Sequence, residues 1–384
     1  MKVATLTLPL HNNYGGNLQA FALHKILIKL GHEPILLDYR KEGERKNIIR
    51  RIGSKVKGFA FPQKNNEGVF YFSLSEKNSI NIFHNEFINS YINKSRPLYN
   101  EIELKSFVNK SSPDAVIVGS DQVWRPKYTP NIRPFFLSFL NGNSKTKKIS
   151  YAASFGVDSW EFTSEELREC KELIQQFDSV SVRESLGVEM CETFFSTHAE
   201  HVLDPTLLLT SYDYISIFNK KKLPDNNGKI FSYILDSDNQ KNNFMDKLSS
   251  FFNKDVFTTY PSKHIKTEAK ISNMAEFQYP SVEAWLKSFY DADFVVTDSF
   301  HGTVFSILFN KPFVSICNKD RGSARFQSLL AVFSLEERLV RDVAEVDVEL
   351  LNSPIDFSLV NEKLESLRNR SLQFLSDALS YSDN

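Results

Sequence analysis

KVATLTLPLHNNYGGNLQAFALHKILIKLGHEPILLDY, residues 2–39, reads as a strand, a helix and a second strand. Residues 2–8 are β-prone and stop at the Gly/Asn-rich turn HNNYGGN, 11–17. LQAFALHKILIKLG then carries apolar side chains at helical spacing and ends on Gly31, after which Glu33 to Tyr39 is again strand-like. Strands joined through a helix run parallel, because the crossover returns the chain to the same edge. The unit therefore predicts an α/β fold whose ligand-facing loops lie at the C-terminal ends of the strands.

The same alternation recurs downstream. Residues 40–57, RKEGERKNIIRRIGSKVK, are the most basic stretch, and polar sequence with aromatics continues to about residue 112 as projecting helices and loops. Strand signals follow at Ala115–Val118, Lys148–Ala152 and Ser179–Arg183, with helical periodicity over 163–178. HVLDPTLLL, 201–209, contains a proline that interrupts regular structure and marks the boundary between two halves, 1–202 and 203–384. Beyond it, strands are predicted at Lys229–Leu235, Asp255–Thr259, Phe294–Thr297 and Pro312–Ile316, helices over 281–292 and from about 302, and a closing helix over 357–381.

Composition limits the function. The 384 residues are 41 % hydrophobic and 24 % charged, a balance that suits two soluble globular domains. Lys+Arg 46 against Asp+Glu 47 leaves a net charge of −1, so the whole molecule offers nucleic acid no electrostatic attraction and any anion site must be local. Cys170, Cys191 and Cys317 are scattered singly, which argues against disulfides and cysteine-held metal and for a reducing compartment. The N-terminal run reads as a first strand rather than a leader, and no apolar stretch approaches the roughly 20 residues of a membrane span. A cytoplasmic protein is the expectation.

Several loops carry chemistry-bearing residues. In FVVTDSFHGTVFSILFNKPFVSI, 294–316, a polar turn holding Asp298, Ser299, His301, Gly302 and Thr303 lies between a strand and a helix. A histidine there sits beside unpaired backbone N–H groups that favour an anion, although a simple helix cap and a loop histidine explain the same residues. In VGSDQVW, 118–124, Asp121 and Gln122 have the donors and acceptors to hold sugar hydroxyls and Trp124 an apolar face for a pyranose; a capping Asp and a core Trp are the other reading. Arg183 ends a strand, where its guanidinium can take a carboxylate or phosphate bidentately, and Lys319, Arg321 and Arg325 crowd a later loop. The Asp236-Ser-Asp238 pair is a weak metal signal, since hard cations want several converging oxygens, and no metal is expected. Walker, HExxH and GxSxG motifs are absent from the sequence.

Taken in order, NYGGNLQAFALHKILIKLG, VGSDQVW, SYAASFG, SVRE, HVLDPTLLL and TDSFHGTVFSILFNKPF resemble the polysaccharide pyruvyl transferase family of bacterial surface-polysaccharide loci, over about residues 2–330. The resemblance implies a fold similar to GT-B glycosyltransferases, with two Rossmann-like domains facing across a cleft and a C-terminal helix closing the structure. It implies transfer of the enolpyruvyl group of phosphoenolpyruvate onto two hydroxyls of a sugar, giving a pyruvate ketal and phosphate, with phosphoenolpyruvate as co-substrate and no other cofactor. His301 matches the family's catalytic histidine and Arg183 its anion-binding arginine. Many members carry Arg-Leu-His-Gly where this chain has Ser299-Phe300-His301-Gly302, so Lys319, Arg321 and Arg325, with Ser299, Gly302 and Thr303 at the helix N-terminus, are expected to hold the donor instead. Asn13, Tyr14, Asn17, Asp121, Gln122 and Trp124 are expected on the acceptor side. Family acceptors are usually lipid-linked saccharides, which would bring the basic 40–57 stretch near the inner membrane face. A GT-B glycosyltransferase using a nucleotide-sugar, or a catalytically silent saccharide-binding protein, would have the same architecture.

Overall fold

The computed structural model describes residues 1–40, 74–129, 131–143, 145–263, 273–317, 322–346, 348 and 350–380. The sequence alternation resolves into two parallel sheets. The first contains β1 (Lys2–Leu6), β2 (Glu33–Leu36), β3 (Ala115–Val118), β4 (Lys147–Ala153), β5 (Ser179–Val182) and β6 (Glu200–His201), in the order β2-β1-β3-β4-β5-β6. The second contains β7 (Ile230–Tyr233), β8 (Val256–Phe257), β9 (Phe294–Thr297), β10 (Phe313–Ile316) and β11 (Leu339–Val340), in the order β11-β10-β9-β7-β8. In both, the first strand has the second strand on one flank and the third on the other. Chain direction across the sheet reverses there, so the loops after β1 and β3, and after β7 and β9, part to leave a crevice at the strand C-termini.

Central strands such as AVIV of β3 are buried along their whole length because helices cover both faces. One apolar cluster runs without a break from Leu18, Leu23 and Tyr151 of the first half to Phe231, Trp285 and Phe305 of the second. Much of the aromatic content lies in such clusters, as where Trp285 meets Tyr14, Tyr233, Phe289 and Phe305. The C-terminal helix Phe357–Leu379 reaches back to the first sheet, where Lys147 Nζ donates to the carbonyls of Ala378 and Ser380. Among the described residues no helix is long and apolar enough to cross a membrane. Residues 41–57 of the basic stretch, with Lys319 and Arg321, lie outside the described residues. All three cysteines are free, and burial pushes the Cys170 and Cys191 thiols up to about 12, which leaves them unreactive.

Two helix starts differ from the sequence reading, and both matter for the site. The first helix spans Tyr14–Lys29, so the glycines assigned to a turn occupy its first turn, below the Asn13 cap. The helix after β9 spans Phe300–Leu308, which places His301 inside its first turn. Asp298, just before it, is a latch within the second sheet: its carboxylate accepts from Leu235 N (2.6 Å), Asp236 N (3.1 Å) and Lys241 Nζ (2.9 Å). Asp238 caps the helix Asn239–Phe252 through Lys241 N, so the Asp236-Ser-Asp238 segment serves this junction.

Replacing Asp298 by alanine leaves the buried Lys241 ammonium without its carboxylate. A loss of about 3 kcal/mol in unfolding free energy is expected from urea denaturation, and a loss below about 1 kcal/mol would contradict the latch.

Candidate active site

The loops after β1, β3, β4, β5, β6 and β9 converge where the two halves meet. Ser299 caps the helix Phe300–Leu308, its hydroxyl accepting from Gly302 N at 3.4 Å. Gly302 must be glycine, because a Cβ would lie 2.1 Å from Thr297 Oγ1 on β9. Thr303 is fully buried, with Oγ1 directed to Ser299 O (3.2 Å) and to Ser315 Oγ (2.6 Å). Gly302 and Thr303 therefore seat the helix on its own sheet, which corrects their assignment as donor contacts. The same seating aims His301 across the junction. An added Cβ at Gly15 would lie 2.1 Å from His301 Nδ1, and His301 Nε2 faces Asp204 Oδ2 at 3.7 Å.

Behind His301 lies a buried charge cluster. Arg183 has no exposed side-chain surface; Nε meets Glu184 Oε1 at 3.0 Å, Nη1 meets Asp204 Oδ2 at 2.8 Å and Nη2 meets Asp121 Oδ1 at 3.4 Å. Its guanidinium carbon stands 4.5 Å from the Phe300 ring centroid. Burial alone would raise the Asp204 carboxyl, but the facing His301, the Arg183 guanidinium and the Thr206 hydroxyl outweigh it and hold the group well below the usual carboxylate range. Burial likewise opposes the Arg183 charge, and the three carboxylates restore it. The anion-binding role expected of Arg183 is thus corrected: its donors are taken by protein carboxylates. Arg325, also buried, lies 5.8 Å from the same Phe300 ring, and burial together with Arg183 pushes its guanidinium down to about 10. The three carboxylates around Arg183 offset its charge, so this arginine does not make the junction locally basic.

The acceptor-side residues separate. Asn13 is exposed and its side chain accepts from Gly16 N at 3.1 Å. Tyr14 and Asn17 belong to the core between the halves. The Tyr14 hydroxyl donates to Pro280 O at 2.7 Å and its ring stacks on Trp285, while Asn17 Nδ2 reaches His11 O (2.6 Å) and His84 Nδ1 (3.0 Å). Trp124 is fully buried, its Nε1 donating to Phe135 O at 2.9 Å and its ring stacked on Phe136, so no pyranose can reach its face. Tyr14, Asn17 and Trp124 are accordingly corrected from acceptor contacts to structural residues. Asp121 and Gln122 are nine-tenths buried; Asp121 Oδ1 accepts from Gln122 N (2.9 Å) besides Arg183, and Gln122 Oε1 accepts from Arg125 Nη1 (3.1 Å). Asp121 sits at φ 73° and Ala152 at φ 50°, left-handed conformations costing about 1–3 kcal/mol when the surroundings impose them.

Sequence reasoning missed Asp204, Glu184, Ser120 and Gly15. The proline of HVLDPTLLL reads in the sequence only as a break in regular structure; Asp204 in fact caps a short helix, its carboxylate accepting from Thr206 N at 3.0 Å, and only the convergence of strands shows its other oxygen facing His301. Among the described residues no group of three or more His, Cys, Asp or Glu side chains is placed to hold a metal ion.

With this geometry in place, comparison with known proteins adds the lineage. The family model for polysaccharide pyruvyl transferase matches residues 13–320, and the chain belongs to that family. No curated protein sequence matches it. Among solved structures it is similar to a UDP-GlcNAc 2-epimerase from Neisseria meningitidis bound to UDP-GlcNAc (TM-score 0.52, 10 % identity, 99 % of each chain covered). It is also similar to a putative UDP-N-acetylglucosamine 2-epimerase from Listeria monocytogenes (TM-score 0.54, 11 % identity, 96 % of this chain and 91 % of that one). A third is Arabidopsis thaliana UGT89C1 complexed with UDP (TM-score 0.52, 9 % identity, 98 % of each chain). At such identities the likeness concerns the fold, which is of the GT-B type.

The histidines packed into the first half make stability depend on pH. Burial pushes His84, beside Asn17, down to about 3, and His24 down to about 4. Below the ordinary imidazole value near 6.5 the unfolded chain takes up protons that the folded chain refuses, so stability falls as pH drops from 7 towards 4, by up to about 1.4 kcal/mol per pH unit for each histidine. Urea denaturation at a series of pH values should show this slope, and His84→Gln should flatten it; equal slopes in both proteins would contradict the assignment.

Proposed function

We propose that the protein transfers the enolpyruvyl group of phosphoenolpyruvate onto two hydroxyls of a saccharide acceptor, forming a cyclic pyruvate ketal and releasing phosphate. One observation carries this reading: His301, on a helix of the second half, points across the junction at the strand ends of the first, within a chain whose family is that of polysaccharide pyruvyl transferases. The chemistry asks for a proton donor at that place. A proton passes from the imidazolium to the methylene carbon, and the adjacent carbon becomes electrophilic. A sugar hydroxyl adds to it and loses its proton, the C–O bond to phosphate breaks, and the second hydroxyl closes the ring with loss of its own proton. Neutral imidazole left by the first step is the base for one hydroxyl proton, and the departing phosphate can carry the other.

Residues 203–384 would present the donor and 1–202 the acceptor. Ser299 stands where related chains carry arginine, so cations from elsewhere must hold the donor's carboxylate and phosphate. Besides Arg183, whose donors meet carboxylates, Arg325 is a described cation against the Phe300 ring of the His301 helix, and Lys319 and Arg321 precede it in the chain. Asn13, exposed on the loop after β1, with Asp121 and Gln122 on the loop after β3, are the acceptor-side groups kept in the reading. A lipid-linked saccharide would make the protein act at the inner membrane face.

Phosphate release from phosphoenolpyruvate, measured with a panel of galactose-, mannose- and glucose-terminated acceptors, tests the reading. His301→Ala should lower turnover by about 10²–10⁴-fold, the range of a lost general acid/base. Arg325→Ala should raise the KM for phosphoenolpyruvate. Transfer from a nucleotide-sugar with no response to phosphoenolpyruvate would instead identify a glycosyltransferase.

A further inference from the structure

Asp204 is more tightly fixed than its role as a helix cap requires. Oδ1 accepts from Thr206 N (3.0 Å) and Thr206 Oγ1 (2.7 Å), and Oδ2 accepts from Arg183 Nη1 (2.8 Å) and Ser120 Oγ (3.1 Å). Ser120 Oγ is itself anchored near Ala152 O at 2.9 Å, and Arg183 is fixed in turn by Glu184, Asp121 and the Phe300 ring. Except for Phe300, these supports all lie at or beyond the C-terminal ends of strands in the first sheet. The carboxylate so held, just beyond the last strand of the first sheet, presents its Oδ2 edge to a histidine on a helix of the second sheet.

His301 Nε2 is sealed from solvent and makes no hydrogen bond, with Asp204 Oδ2 at 3.7 Å as its facing charge. That separation is a charge contact rather than a hydrogen bond, and an unpaired buried N–H costs about 1–3 kcal/mol. Shortening the contact would remove the cost, in line with catalytic hydrogen bonds that tighten only in the substrate complex. The opposite edge of the ring is limited by Gly15, where a Cβ would come within 2.1 Å of Nδ1 and 2.3 Å of Cγ. The ring is therefore confined between a carboxylate that attracts Nε2–H and a glycine whose missing side chain makes room for Nδ1.

We propose that Asp204 is a positioning residue: it holds His301 as the Nε2–H tautomer, stabilises the imidazolium when it forms, and leaves Nδ1 as the nitrogen that exchanges protons with substrate. Arg183 then acts through Asp204, keeping the carboxylate ionised and oriented. The proposal rests on the reading of His301 as the acid/base group, and it deepens that reading by assigning each ring nitrogen a task. It also explains why a fully buried arginine stands behind a catalytic histidine.

Asp204→Asn keeps the shape and the bond to Thr206 but removes the charge facing Nε2. It should lower kcat by about 10²-fold, the effect of losing the carboxylate that orients a working histidine, with the KM for phosphoenolpyruvate changing by less than about threefold. In the Asp204→Asn/His301→Ala double variant, turnover should equal that of His301→Ala, since a residue acting through the histidine has nothing left to position. Independently of turnover, ¹⁵N spectra of the histidine rings should show His301 protonated at Nε2 in the parent protein and mixed between Nδ1 and Nε2 in Asp204→Asn. Ser120→Ala, which removes one support of Oδ2 and spares the helix cap, should shift the tautomer in the same direction. An unchanged tautomer in folded Asp204→Asn, or a double variant much slower than His301→Ala, would overturn the proposal. Absence of any phosphoenolpyruvate turnover in the parent protein would overturn the proposed reaction instead, and the tautomer comparison would still decide whether Asp204 orients His301.

Discussion

A guanidinium with no exposed surface stands at the meeting point of three loops, and the site is arranged around it. Removing an arginine from water costs several kcal/mol, and the cost is offset only where geometry supplies opposite charge and hydrogen bonds at once. Arg183 receives both from Asp121, Glu184 and Asp204, which follow β3, β5 and β6. Each carboxylate in turn would be intolerable without the arginine, so the loops bearing them can take only one arrangement together. Phe300 lays its ring against the guanidinium and brings the helix carrying His301 into the same constraint.

That constraint operates on two halves already joined by their cores. Apolar packing runs from the first sheet's helices through Trp285 to the second, and polar ties add to it: Tyr14 to Pro280, Lys29 to Asp213, Lys147 to the carbonyl of Ala378. Gly322 approaches the backbone of Gly156 so closely that a Cβ there would lie 2.3 Å from the Gly156 carbonyl, and Asp158 caps the helix Ala324–Phe333 through Ser323 Oγ and Ala324 N. Arg325 is thereby carried to Phe300 by a loop of one half clasped by a loop of the other.

Local sequence made several elements legible. The 2–39 unit, the strand preceding Asp298 and the strand at Pro312–Ile316 all showed because strand periodicity, helix periodicity and glycine stops are properties of neighbouring residues. His301 was legible as a candidate because it lies beside a helix start, and the order of short motifs pointed to the family that the match over 13–320 shows. The helix over Leu74–Ile80 and its neighbours Ile82–Tyr91 and Glu101–Ser111 were only sketched, since their apolar faces are short and depend on what they pack against.

The sequence by itself determined the α/β class, the parallel sense of the sheets and the polar turns at the strand ends, all of which follow from contacts a few residues apart. Tertiary structure alone decided what those polar residues do. Trp124 and Tyr14 read as available aromatics until burial enclosed them, and Arg183 read as an anion ligand until three carboxylates converged on it. Asp204 lies 97 positions before His301 in the chain and 3.7 Å from it in space. Charge pairing at such separations is set by how strands are ordered across two sheets, and no local pattern of residue types encodes that order.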